Sequence, residues 1–314
     1  MAASNGPRDT TGSCGAFAER VMSFSQACML SKHIGQWRIR VRLSSVIYVL
    51  HLYSIENRVS NHNLTHIVIP HSAISDFTDR EIYAINMLGH IYNETIILAK
   101  LTFISRGTLN QPQAVKDANM FHAIFFARLH AGKLHEAQQT INNNPDIRSF
   151  LINRCFSLIG EDRGKALLKK FNSKTSDCKW LSDAKNHDAM HFGTFEQLQK
   201  GVAEIRNNNI GFEMIRGKLV TGTLFLTSNV MTALSFYHRA HATDWHAGLE
   251  NLIQNIEQIQ DSLMDLISES LCSFINNKRD GNLPEENRLS EHDIESFDVA
   301  SIHDFHLPYF FGEK

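Results

Sequence analysis

The sequence predicts an all-α fold, a helical bundle with one small β-hairpin and a C-terminal tail. Three observations predict it. Apolar residues recur at i, i+3, i+4 and i+7 over 82–104, 115–141 and 249–275, the period of helices with one buried face. No Gly-rich loop lies between a strand-like and a helix-like segment, which excludes a dinucleotide fold or a phosphate-loop NTPase. The clearest hairpin signal is Arg216-Gly217, flanked by short alternating runs.

Residues 1–15 are small and polar and read as a flexible N-terminus; the helical domain is expected over 16–278. Val46–Tyr53 fits a helix or a buried strand; Ile55, Glu56 and Arg58 continue it without a breaker and favour helix. Asn61–Asn63 reads as a turn, and Leu64–Ile69 as a β-type run stopped by Pro70. Thr78 and Glu81 have the spacing of a capping box, opening a helix on Ile82, Ile85, Leu88, Ile91, Thr95 and Ala99. On that helix Asn93-Glu94 sits beside the apolar face, so Glu94 is a candidate acid or supporting group, set against a plain surface ion pair.

Pro112 suits the start of the next helix, which Asn142–Pro145 stops. Within it Arg128 and His135 lie two turns apart; Arg239 and His246 repeat the spacing. A chain with 17 His yields such pairs by chance, so both read as solvated or capping residues. Ile147–Ile159 is a short helix, 160–164 a hinge-like loop, and Lys165–Phe171 a further turn or two. Lys169, Lys170 and Lys174 form the best local basic patch, a run that ordinarily marks a solvated face.

Asp177–His191 reads as a helix with Trp180, Leu181, Ala184 and Met190 on its apolar side, closing near Phe192-Gly193. Near its end stand Lys185, Asn186, His187 and His191. Six residues advance a regular helix by about 600°, so Lys185 and His191 converge only if the last turn unwinds or two copies meet. Phe195–Ile205 is helical; the hairpin falls near 211–226. Thr243 can cap the last helix, whose stripe from Leu249 to Ile275 is core or a partner surface. The tail, 279–314, is acidic to Glu295 and then aromatic; His303 and His306 could be a metal pair, but docking of the aromatics is the stronger reading.

The chain has 314 residues and a formal net charge of −2, which argues against a wide nucleic-acid-coating surface but leaves room for a local phosphate site. Cys14, Cys28, Cys155, Cys178 and Cys272 form no CxxC pair, which fits reduced thiols in a cytoplasmic protein. No signal segment opens the sequence and no apolar run is long enough to span a membrane. No metal site and no cofactor is expected.

A cation beside a near-neutral imidazole can cut RNA: the imidazole moves a proton at the ribose 2′-hydroxyl, and the cation holds the phosphate charge. The stretch Lys185-Asn186-His187-Asp188-Ala189-Met190-His191-Phe192-Gly193 resembles the signature of the HEPN superfamily, in the form seen in its abortive-infection-like branch. That signature is Arg, often followed by Asn, Asp or His, then His after four to six residues. Lys185 stands at the Arg position and keeps the charge without the planar fork. The resemblance covers about 78–192. It implies a HEPN-type bundle acting as a homodimer, and a metal-independent endoribonuclease of a phage-defence or toxin–antitoxin system that leaves a 2′,3′-cyclic phosphate. His191 would be general base or acid, Lys185 the phosphate holder, Asn186 an orienting group and Glu94 a polar group on an early helix. The ligand would be RNA or a nucleotide, with an antitoxin or other protein as a further partner. The alternative is a catalytically silent HEPN-like module that binds a nucleotide or protein.

Overall fold

The computed structural model describes residues 64–106, 111–189, 192–216, 223–280 and 290–294, together with Leu307 and Tyr309. The expected flexible N-terminus, the Val46–Tyr53 segment, His191, and His303 and His306 lie outside the described residues. Most of what is described is helical, as the apolar periodicity requires.

β1 (Leu64–Val68) ends before Pro70. It pairs antiparallel with β4 (Ser290–Ile294), Leu64 opposite Ile294 and Val68 opposite Ser290. Ser290–Ile294 of the tail are therefore built into a sheet, a pairing that no local pattern announces. α1 (Asp79–Ile104) opens with the predicted capping box: the Thr78 N–H donates to Glu81 Oε2 at 2.9 Å, and the Glu81 N–H to Thr78 Oγ1 at 3.3 Å. α2 (Gln113–Asn143) runs antiparallel to α1, since Asn144 at its end bonds the Tyr83 hydroxyl and Lys133 meets Glu94. Asn144 stops α2 and caps the next helix, its Oδ1 accepting from the N–H groups of Asp146 and Ile147 at 3.0 and 3.2 Å.

That helix, α3, begins as Pro145–Phe150, widens into π winding over Leu151–Phe156, and closes with the turn Ser157–Ile159. The hinge-like loop expected over 160–164 shrinks to Gly160 alone, at φ 91°. α4 (Glu161–Ser176) starts at once, because Glu161 and Asp162 suit a helix N-terminus. Gly164 lies inside that helix: a Cβ there would stand 2.2 Å from Phe156 Cγ, so the bare backbone is what lets α3 and α4 close on each other.

α5 (Trp180–Asp183) passes into a second π-wound stretch, Ala184–Ala189. α6 (Phe195–Asn207) comes next, then a hairpin within the expected 211–226, of β2 (Met214–Arg216) and β3 (Thr223–Phe225), with Met214 opposite Phe225; Arg216 pairs with Thr223 as a strand residue, so it is not half of the turn that the sequence suggested. α7 (Leu226–Ala240) leads to α8 (Trp245–Asp280). Asp244 caps α8 in place of Thr243: its carboxylate accepts from His246 N–H at 2.9 Å and Ala247 N–H at 3.3 Å.

The α8 stripe lies mostly inside the chain. Leu252, Ile259, Leu263, Leu266, Ile267 and Phe274 are buried with Phe150, Phe156, Phe171 and Phe236 in one core, so most of the stripe is core. Across it, fully buried His130 bonds Gln260 Oε1 at 2.8 Å, and burial drives its pKa down to about 4. Two lysines of the basic patch, Lys170 and Lys174, and nearby Arg163 are tied to α8. Lys170 pairs with Asp265 at 2.8 Å, Lys174 with Gln258 at 2.8 Å, and Arg163 grips Glu269 with bonds of 3.0 and 2.6 Å. Two tail residues, Leu307 and Tyr309, lie against the helices; the tail phenylalanines lie outside the described residues. Leu307 N–H donates to Ile104 O at 2.9 Å, the Tyr309 ring lies 4.8 Å from His122, and its hydroxyl donates to Thr223 O at 3.3 Å. No helix among the described residues is long and apolar enough to cross a membrane.

Candidate functional site

Trp180, Leu181 and Ala184 are buried, the apolar side read from the sequence. The Trp180 ring meets Phe236 of α7 edge-on, with centroids 6.0 Å apart, which fastens α5 between α7 and α2. The π-wound stretch then lies along α2. π winding often marks functional positions because the extra residue per turn re-aims the side chains around it. Here those side chains are Lys185, partly exposed, and Asn186, exposed.

Lys185 acts on a residue that spacing alone marks as solvated. Its positive charge falls on His135 of α2, and the His135 pKa is held below the ordinary histidine range, first by burial and then by that charge. The imidazole is therefore neutral at pH 7 and able to accept a proton. Arg128 lies two turns earlier on the same face of α2 as His135; its guanidinium carbon is 6.0 Å from the Phe125 ring. Its charge also reaches Tyr237, whose buried phenol is raised well above its ordinary value by desolvation. The Arg128–His135 spacing was the available signal. Its weakness in the sequence was that nothing there shows what packs against that face of α2.

Glu94 belongs to a different side of α2. Lys133 Nζ is 3.0 Å from Glu94 Oε2 and 3.3 Å from Glu136 Oε2, and His90 Nε2 is 3.5 Å from Glu94 Oε1. Two residues advance a helix by about 200°, so Lys133 and His135 point in nearly opposite directions. Glu94 thus takes the surface ion-pair arrangement. Among the described residues no ion pair links it to Lys185. The Lys185 charge acts on His135, and Glu94 lies on another side of α2. His191 is outside the described residues.

An open cleft of about 490 Å³ lies where α1 and α3 meet, lined by Asp76, Thr78, Arg80, Glu81, Asp146, Ser149 and Arg154. Its charges are mutually satisfied. Arg154 Nε donates to Glu81 Oε1 at 2.6 Å, its Nη1 reaches Asp76 Oδ2 at 3.3 Å, and Arg80 reaches Asp146 at 3.4 Å. The Arg154 hydrogen bond, with help from the Thr78 N–H, holds the Glu81 carboxyl at a pKa of about 2. Lys278 Nζ, 3.8 Å from Asp76 Oδ1, adds a further cation, and these pairs tie the start of α1 to α3.

Cys155 and Cys178 are buried thiols raised by desolvation to about 12 and about 11, which makes them poor nucleophiles. Among the described residues no three His, Cys, Asp or Glu side chains group as metal ligands. Comparison with protein-family models, curated proteins and solved structures finds no match for this chain.

Proposed function

We propose that this chain is a HEPN-like ribonuclease that cleaves RNA without a metal, in a phage-defence or toxin–antitoxin setting. The observation that carries the reading is the placement of Lys185 and Asn186 on a re-wound helix end, with the Lys185 charge on a neutral His135. Lys185 holds a phosphate oxygen and Asn186 orients the strand. One imidazole takes the 2′-hydroxyl proton as the 2′-oxygen attacks phosphorus. The bond from phosphorus to the 5′-oxygen breaks, and the second imidazole protonates that leaving oxygen. His135 and His191 supply the two imidazoles, and the product is a 2′,3′-cyclic phosphate. The pairing of Lys185 with His135 comes from one chain, so this part of the site needs no second copy.

Lysine at the arginine position favours a second reading, a silent module that binds a nucleotide or protein. Incubation of pooled RNA with EDTA separates the two. The ribonuclease is expected to leave cyclic phosphate ends. Lys185→Arg adds one charge-assisted bond, worth about 1.5–3 kcal/mol, and raises the rate roughly tenfold or more. His191→Ala abolishes cutting, and His135→Ala slows it by about a hundredfold or more. If wild type and Lys185→Arg are equally inert while nucleotide still binds, the binding module is correct; if neither cuts nor binds, both readings fall.

A further inference from the structure

The hairpin turns an apolar face to solvent. Leu224 of β3 is buried on its inner side, whereas Phe225, the next residue, is 51% exposed. Met214 of β2 stands opposite Phe225 in the register and is 48% exposed. Phe212, just before β2, is 73% exposed, and its ring centroid lies 6.3 Å from that of Phe225. The three side chains therefore form one continuous outer patch, unlike the single exposed apolar residues that any surface carries. The base of the hairpin is pinned: the Thr227 hydroxyl donates to Gly211 O and accepts from the Glu213 N–H, each at 2.8 Å.

The same hairpin receives the tail. The Leu307 N–H is fixed to Ile104 O, the Tyr309 N–H donates to Asn119 Oδ1 at 3.3 Å, and the Tyr309 hydroxyl ends on Thr223 O of β3. Thr223 is two residues from Phe225, about 7 Å along the strand. Phe310 and Phe311 directly follow Tyr309, and two residues of extended chain also span about 7 Å.

We propose that Phe310 and Phe311, which lie outside the described residues, cover the patch of Phe212, Met214 and Phe225, making the hairpin the docking site of the chain's own aromatic tail. In an extended continuation Phe311 faces the same way as Tyr309, whose ring lies on His122 and whose hydroxyl reaches β3. An occupant tethered at Tyr309 acts at an effective concentration of about millimolar, which a second copy or a separate protein lacks.

The test uses the full chain with Phe311 replaced by p-benzoylphenylalanine, irradiated in dilute solution and mapped by peptide mass spectrometry. A cross-link within one chain to residues 212–225 is expected, and Phe225→Ser is expected to remove most of it. Hydrogen exchange supplies a second readout. Phe310→Ser combined with Phe311→Ser is expected to speed exchange of the β2 and β3 amides roughly tenfold, with α3 unchanged. A cross-link to Phe125 or Phe126 of α2, or none, overturns the assignment, as does unchanged exchange in the double variant. A cross-link between two chains gives the patch to a second copy and overturns it as well.

Discussion

The two π-wound stretches make an instructive pair. Leu151–Phe156 buries Leu151, Cys155 and Phe156 and sends Arg154 outward; Ala184–Ala189 buries Ala184 and presents Lys185 and Asn186. Both widen a helix and re-aim a cation. Arg154 lands between two carboxylates, at 2.6 Å from Glu81 and 3.3 Å from Asp76, with its guanidinium carbon 5.0 Å from the Phe77 ring. Lys185 lands by an imidazole. A π turn alone therefore does not make a site. The difference lies in the neighbours: Glu81 and Asp76 take up the Arg154 charge, whereas on the proposed reading the Lys185 charge is left for a phosphate.

The comparison can be broken most forcefully at the anchors. Trp180→Ala and Phe156→Ala each remove a large buried ring and are expected to cost about 3–5 kcal/mol in urea unfolding. Only Trp180→Ala should also raise the His135 pKa, because it frees the Lys185 stretch from α2; an equal rise in both variants would mean that the two stretches are not independent. Gly164→Ala sharpens the first stretch alone. It forces a methyl against Phe156 and is expected to cost about 1–3 kcal/mol, with His135 unmoved by NMR titration.

Arg154→Met tests the satisfied cation. Both partners keep some exposure, so screening holds the expected loss to about 1–2 kcal/mol at pH 7. The pH dependence has a definite sign. The Glu81 pKa is about 2 in the folded chain, below its ordinary 4.5, so its stabilisation is present above 4.5 and lost as pH falls toward 2. Arg154→Met should flatten that acid limb in a thermal-melt series. Lys185→Met gives the smallest stability change, under about 0.5 kcal/mol, since Lys185 is a partly exposed cation. Its signature is electrostatic: the His135 pKa should rise once the neighbouring charge is gone. An unchanged His135 titration would dissolve the pair on which the site is built.

The sequence by itself determined the elements whose signals are local. Helical periodicity marked α1, α2 and α8, the Thr78–Glu81 box fixed where α1 starts, and the short alternating runs marked the hairpin. These are legible because a helix or turn is specified by residues within a few positions of one another. It also singled out Lys185 and Asn186. It did not decide that Leu64–Val68 pairs with Ser290–Ile294, that 160–164 is helix beyond Gly160, or that two helices take π winding. Nor did it separate Glu94 from His135, which needed the knowledge that α1 covers one side of α2 and the re-wound stretch another. Those outcomes depend on which distant surfaces meet and how closely, as where Gly164 admits the Phe156 ring. Packing energies of that kind are set between segments far apart in the chain, and so only the tertiary structure decided them.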